Sequence, residues 1–135
     1  MTPTRAAKPG TGRRKATVAS ALLATATLAQ SQVVDLEWTA AGAFERQVSV
    51  APGKFVEFCG ALAKGQSVKW TFEGAGPLDF NIHYHRGKDV IYPAQASGTA
   101  RSEGTLVVDS AQEYCWMWTN KSAAAVDLKV KLSVR

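Results

Sequence analysis

The chain contains two histidines, and they stand together as His83-Tyr84-His85. Side chains on an extended strand alternate between faces, so residues two apart share one face. This pair therefore presents two imidazoles side by side, close enough to converge on one ion. Neutral imidazole is a ligand for Zn or Cu. Asp79 and Asn81 extend the same face, and Asp89 follows past a turn. A stable site needs a third or fourth donor, and that donor is not readable from the spacing. The alternative is two solvated histidines on an exposed strand. The alternation predicts Phe80, Ile82 and Tyr84 inward, with His83 and His85 outward on one face and at least partly accessible to solvent.

Other chemistry is limited. A blue-copper centre needs Cys, two His and a weak axial Met. Cys115, Met117, His83 and His85 supply the types, but no His follows the Cys and only Trp116 separates Cys115 from Met117. A hydrolytic triad is not expected, because no Gly-x-Ser-x-Gly elbow occurs and both histidines share one strand. No glycine-rich phosphate loop or CxxC pair occurs either. Asn120-Lys121-Ser122 matches a glycosylation sequon, but reads first as a turn between strands. Arg86-Gly87-Lys88 adds positive charge beside the histidines and reads as a solvated turn. Trp38 or Tyr92, if exposed, would mark a binding patch. No enzymatic activity is expected.

The elements that must position these residues are strands. Val68, Trp70 and Phe72 alternate with Lys69, Thr71 and Glu73. Phe80, Ile82 and Tyr84 alternate with polar residues, as do Val126, Leu128, Val130, Leu132 and Val134. Each pattern predicts a strand with one buried and one wet face. Further strands are expected over 33–38, 47–51, 54–59, 105–109 and 114–119. Pro52-Gly53, Gly65, Gly74-Ala75-Gly76-Pro77, Gly87-Lys88-Asp89, Gly98 and Gly104 punctuate them as turns. Short strands at this spacing predict an all-β fold, a single antiparallel β-sandwich. Tyr114-Cys115-Trp116-Met117-Trp118-Thr119 is apolar on both faces and is expected to be central. It is expected to form a hairpin with the last strand through Asn120-Lys121-Ser122.

The order of these motifs resembles the GOLD domain, the lumenal β-sandwich of the p24 cargo-receptor proteins. Phe58-Cys59 is followed by Lys64-Gly65-Gln66-Ser67, then Trp70-Thr71-Phe72, then Asp79-Phe80-Asn81-Ile82. Glu113-Tyr114 through Asn120 is similar to the family's Gly-Tyr-x-Phe-Cys-Phe-x-Asn pattern. The resemblance implies a bridge between Cys59 and Cys115. Aligned on Asn120, however, the family's second Cys falls at Met117, so the bridge requires its partner to shift as well. The family's transmembrane anchor is not expected here, and cargo-receptor function is not carried over.

Residues 1–29 read as a secretory signal peptide, and residues 30–135 as the β-sandwich domain. Arg5, Lys8, Arg13, Arg14 and Lys15 precede a weakly apolar run of 14 residues, Ala16–Ala29, closed by small residues. Cleavage is expected after Ala26 or Ala29. The run falls short of the roughly 20 residues that a membrane span needs. Arg13-Arg14 leaves a twin-arginine signal as the alternative. In an exported chain, a lone pair of cysteines reads first as a disulfide, here Cys59 with Cys115.

The 135-residue chain is 46% apolar and 20% charged, which excludes a disordered or polytopic membrane protein. Its net charge of +5 resides in the leader: five of 16 basic residues and none of 11 acids lie there, leaving 11 of each beyond it. A neutral domain offers no basic footprint for nucleic acid. The expected product is a secreted or periplasmic non-enzymatic binding module for a protein or small ligand. The alternative is a small Cu- or Zn-binding protein using His83 and His85; no cofactor is otherwise expected.

Overall fold

Alternating residues become seven strands in the computed structural model, which describes residues 1–12 and 29–135. The expected leader falls largely on residues 13–28, outside the described residues. The strands are β1 (Gln32–Asp35), β2 (Ala43–Val50), β3 (Phe55–Leu62), β4 (Ser67–Arg86), β5 (Asp89–Val107), β6 (Gln112–Thr119) and β7 (Val126–Val134). No α-helix occurs among the described residues, so none is long and apolar enough to cross a membrane.

β4 decides the architecture. It spans 20 residues, and Gly74-Ala75-Gly76-Pro77 bends it without ending it. The sequence predicts a turn there; the chain instead continues as one strand. The ladder to β5 loses register between Glu73 and Leu78, as expected where a strand bends. Gly74 sits at this corner, where an added Cβ would stand 2.8 Å from the Gly76 carbonyl oxygen.

The first half of β4, Val68–Gly74, pairs with β7, which pairs with β2. The second half, Asp79–His83, pairs with β6, which pairs with β3 and then β1. β5 accompanies both halves along the other edge. One curled sheet thus folds into two facing layers, a β-sandwich. The pairing is antiparallel except for β1, which runs parallel to β3.

The core fills the space between the layers with the inward residues that the period predicts. Trp118 of β6 lies 5.8 Å from Phe58, 5.5 Å from Phe72 and 5.3 Å from Phe80, ring centre to ring centre. Phe44 of β2 reaches Phe58 at 5.1 Å, and Trp70 reaches Phe80 at 4.8 Å. These contacts join both halves of β4 to β2, β3 and β6 through tilted and edge-on aromatic geometry. Trp70 lies over Gly104, its cross-strand partner on β5. A Cβ at Gly104 would fall 2.5 Å from the indole ring, so glycine is required for close packing rather than for a turn.

The expected β6–β7 hairpin is not formed. β6 and β7 pair with successive stretches of the same β4, one in each layer. Residues 120–125 therefore carry the chain from one layer to the other. Asn120 ties this crossing to backbone carbonyls on either side of it. Its Nδ2 donates to the Val50 and Ala124 carbonyl oxygens, each at 2.8 Å. Its Oδ1 accepts from Ser122 N at 2.9 Å and from Ser122 Oγ at 2.6 Å. Asn120 is 0% exposed, so in the folded chain the sequon acts as a buried clasp and not as a glycan acceptor.

Candidate functional site

Three strands, β3, β6 and β4, lay their outward side chains in rows across one layer. Cys59 lies opposite Cys115, and Cys115 lies opposite His83. The next row is Glu57, Met117 and Asn81. Direct opposition in an antiparallel ladder brings side chains close enough to bond or pair.

Cys59 and Cys115 form the disulfide, with Cα atoms 4.1 Å apart, and no cysteine is free. The bridge follows from the β3–β6 register, which sets Cys59 directly opposite Cys115. A cysteine at Met117 would have faced Glu57, whereas Cys115 faces Cys59. The register therefore leaves Glu57 as a carboxylate beside the histidine row.

His83 points outward as the alternation predicts, but its expected solvent access is not found: it is 7% exposed. Its neighbours explain the burial. Cys115 lies beside it on β6, while the His85 and Tyr92 rings stand 5.4 and 6.0 Å away, centre to centre. β5 carries a bulge here. Ile82 pairs with Ala94 and Tyr84 with Ile91, so Tyr92 and Pro93 together oppose His83. Pro93 has no N–H to give a ladder, which suits it to a bulge. His85 is exposed on the same face, and Tyr92 is 48% exposed. Trp38 is half-buried, packed against the core.

The acid that meets His83 is neither Asp79 nor Asp89. Glu57 Oε2 lies 3.8 Å from His83 Nε2. The other ring nitrogen, Nδ1, donates to Asn81 Oδ1 at 2.8 Å. Asp79 is occupied elsewhere: Lys121 Nζ lies 2.6 Å from one carboxylate oxygen, and the Gly98 N–H donates to the other at 2.8 Å. These contacts hold the Asp79 carboxyl below the usual range, the Lys121 hydrogen bond most strongly. Asp89 pairs with Arg86 across the β4–β5 turn, away from this row.

Burial governs titration at the cluster. Desolvation raises the Glu57 pKa above its usual 4.5; the charge of His85 opposes the shift and that of Glu113 adds to it. Desolvation also lowers the His83 pKa below 6.5, and the charge of His85 lowers it further. The folded state thus holds His83 neutral, and His83 costs stability as pH falls through 6.5 and below.

Glu57 has the opposite sign. Between pH 4.5 and its raised folded value, the unfolded chain releases the proton more readily. Stability from this group is full below pH 4.5 and is lost as pH rises through the folded pKa. Glu57→Gln should therefore stabilise the protein at pH 7 and change it little at pH 4. Urea unfolding at both pH values in metal-free buffer measures this. A variant less stable than the parent chain at pH 7 would sink the assignment.

The fold around this row is a β-sandwich, and solved β-sandwich structures match it over about four-fifths of the chain. The chain is similar to Aeromonas hydrophila PliG, a periplasmic inhibitor of g-type lysozyme. That match has a TM-score of 0.60 and 15% identity, covering 79% of this chain and 100% of that one. Salmonella Typhimurium PliG, also a periplasmic inhibitor of g-type lysozyme, matches with a TM-score of 0.56 and 13% identity over 78% of this chain and 100% of its own. The pre-peptidase C-terminal domain of Bacillus anthracis collagenase matches with a TM-score of 0.54 and 10% identity over 81% and 100%. No protein-family model and no curated protein matches the sequence. At these identities the likeness establishes the β-sandwich fold.

Proposed function

We propose that the chain is an exported, non-enzymatic module that binds a protein partner, and that a g-type lysozyme is the first partner to test. One observation carries this reading: the sandwich aligns with the full length of two PliG structures, both described as periplasmic inhibitors of g-type lysozyme. The disulfide supports export, because such bonds persist in oxidising compartments. It also occupies both thiols, which removes the cysteine nucleophiles from any catalytic scheme. The motif order that resembles the GOLD domain supports a lumenal or periplasmic sandwich as well. The basic and apolar order of residues 1–29 supports an N-terminal leader.

The test uses protein recovered from the exported fraction. Its intact mass should place the first residue at Thr27 or Gln30. It should then slow cell-wall lysis by a g-type lysozyme in proportion to its concentration and saturate at one inhibitor per enzyme. Full lysis in excess inhibitor, with no complex by calorimetry at micromolar concentration, would overturn the lysozyme reading.

A further inference from the structure

We propose that Glu57, His83 and His85 bind one divalent transition cation of the Cu(II) or Zn(II) class, with Asn81 as the positioning residue. The inference starts from a pair of electron-pair donors that face each other. An amide oxygen only accepts hydrogen bonds. The 2.8 Å contact to Asn81 Oδ1 therefore places a proton on Nδ1, and in the neutral ring Nε2 carries the lone pair. That lone pair faces the Glu57 carboxylate at 3.8 Å. The gap is too long for a hydrogen bond, whose N···O distance is about 2.7–3.2 Å. It suits a bridging ion: Zn–N and Zn–O bonds together span ~4.0–4.3 Å, so an ion bonded to both atoms sits slightly off their line.

The remaining features match a metal centre. His83 is 7% exposed, and burial holds its ring in place before any ion arrives. A metal-bound imidazole commonly donates its second N–H to an outer partner that fixes tautomer and orientation, and Asn81 fills that position. His85 brings a second imidazole on the same face, 5.4 Å from the first, centre to centre; its nitrogens do not already lie within 4.8 Å of both other donors, so this exposed ring turns to complete the set. With Cys59 and Cys115 joined, thiolate is absent from the donor set. Two imidazoles and one carboxylate suit Zn(II) or Cu(II), with a further position left for water. This inference is independent of the lysozyme reading.

The full exported protein, stripped with a chelator and titrated with CuCl2 or ZnCl2 alone, should take up one ion per chain. Glu57→Gln and His85→Ala should each weaken binding at least about tenfold, and Asn81→Ala by about 10–100-fold, the range for outer partners of metal-bound histidine. The Cu(II) electron paramagnetic resonance spectrum should show two coupled nitrogens in the parent and one in His85→Ala. Because His83 is buried, these variants rather than His83→Ala carry the test, each after its circular dichroism is shown to match the parent. No saturable uptake of either ion at micromolar concentration would overturn the proposal. So would unchanged affinity in both Glu57→Gln and His85→Ala, which would place the ion elsewhere on the chain.

Discussion

Asn120→Ala is expected to destabilise the domain by about 3 kcal/mol. A net hydrogen bond contributes about 1 kcal/mol, and a buried polar group left without its partner costs about 1–3 kcal/mol. Asn120 has four such contacts, and two of them satisfy carbonyls of separate segments, Val50 and Ala124. Alanine leaves the Val50 oxygen facing a void, while the Ala124 oxygen keeps Ser122 Oγ at 3.0 Å. For a domain near 100 residues the loss corresponds to a fall in Tm of roughly 10–20 °C. Asn120→Asp should be at least as harmful, since a carboxylate would face two carbonyl oxygens. Ser122→Ala should cost less, because Ser122 Oγ is the partner of only one Asn120 atom. Thermal and urea unfolding of the three variants measure this order. A loss below about 1 kcal/mol for Asn120→Ala would show that the crossing is held by packing and not by the clasp.

Removing the disulfide with the paired change Cys59→Ala and Cys115→Ala should cost about 4 kcal/mol. The sequence separation of 56 closes a long loop, and the loop-entropy relation gives that magnitude for it. The bond also joins β3 and β6 in register within the layer that carries His83. Urea unfolding in oxidising buffer should show a lower midpoint for the double variant, and the reduced parent should match it. An unchanged midpoint would refute a structural role. The variant has a second expected effect, because Cys115 lies directly beside His83. Loosening this row should lower the affinity of the proposed cation site while leaving its donors in place.

Much of the fold was legible because the information is local. Val68 to Phe72, Phe80 to Tyr84 and Val126 to Val134 each announce a strand and its buried face, since alternation is written into consecutive residues. The central position of the Tyr114–Thr119 segment followed from its two apolar faces, and β6 lies between β3 and β4. The cysteine pair was legible from composition, as two of a kind in a chain whose first residues read as a leader. The same local logic failed at Gly74–Pro77. Glycine and proline there signal a break, yet a strand that bends between two layers needs them as much as a turn does. It failed again at Asn120, where an exposed turn and a buried crossing carry the same residues.

The candidate site was half legible. His83 and His85 identified themselves by rarity and spacing, and Asn81 by its place on their face. Glu57 did not, because it lies 26 positions away and its approach to His83 depends on β3, β6 and β4 standing side by side. The disulfide would align Glu57 with Met117 once Cys59 and Cys115 are known to pair. The placement of Asn81 opposite Met117 still requires the β4–β6 ladder, which no local pattern reports. The residues alone thus determined most of which segments extend and which faces are apolar, because those properties depend on neighbours in the chain. Strand order, the burial of His83 and its meeting with Glu57 were decided by the tertiary structure. They arise from the packing of two layers around Phe58, Phe72, Phe80 and Trp118, residues brought together only when the bent β4 closes the sandwich.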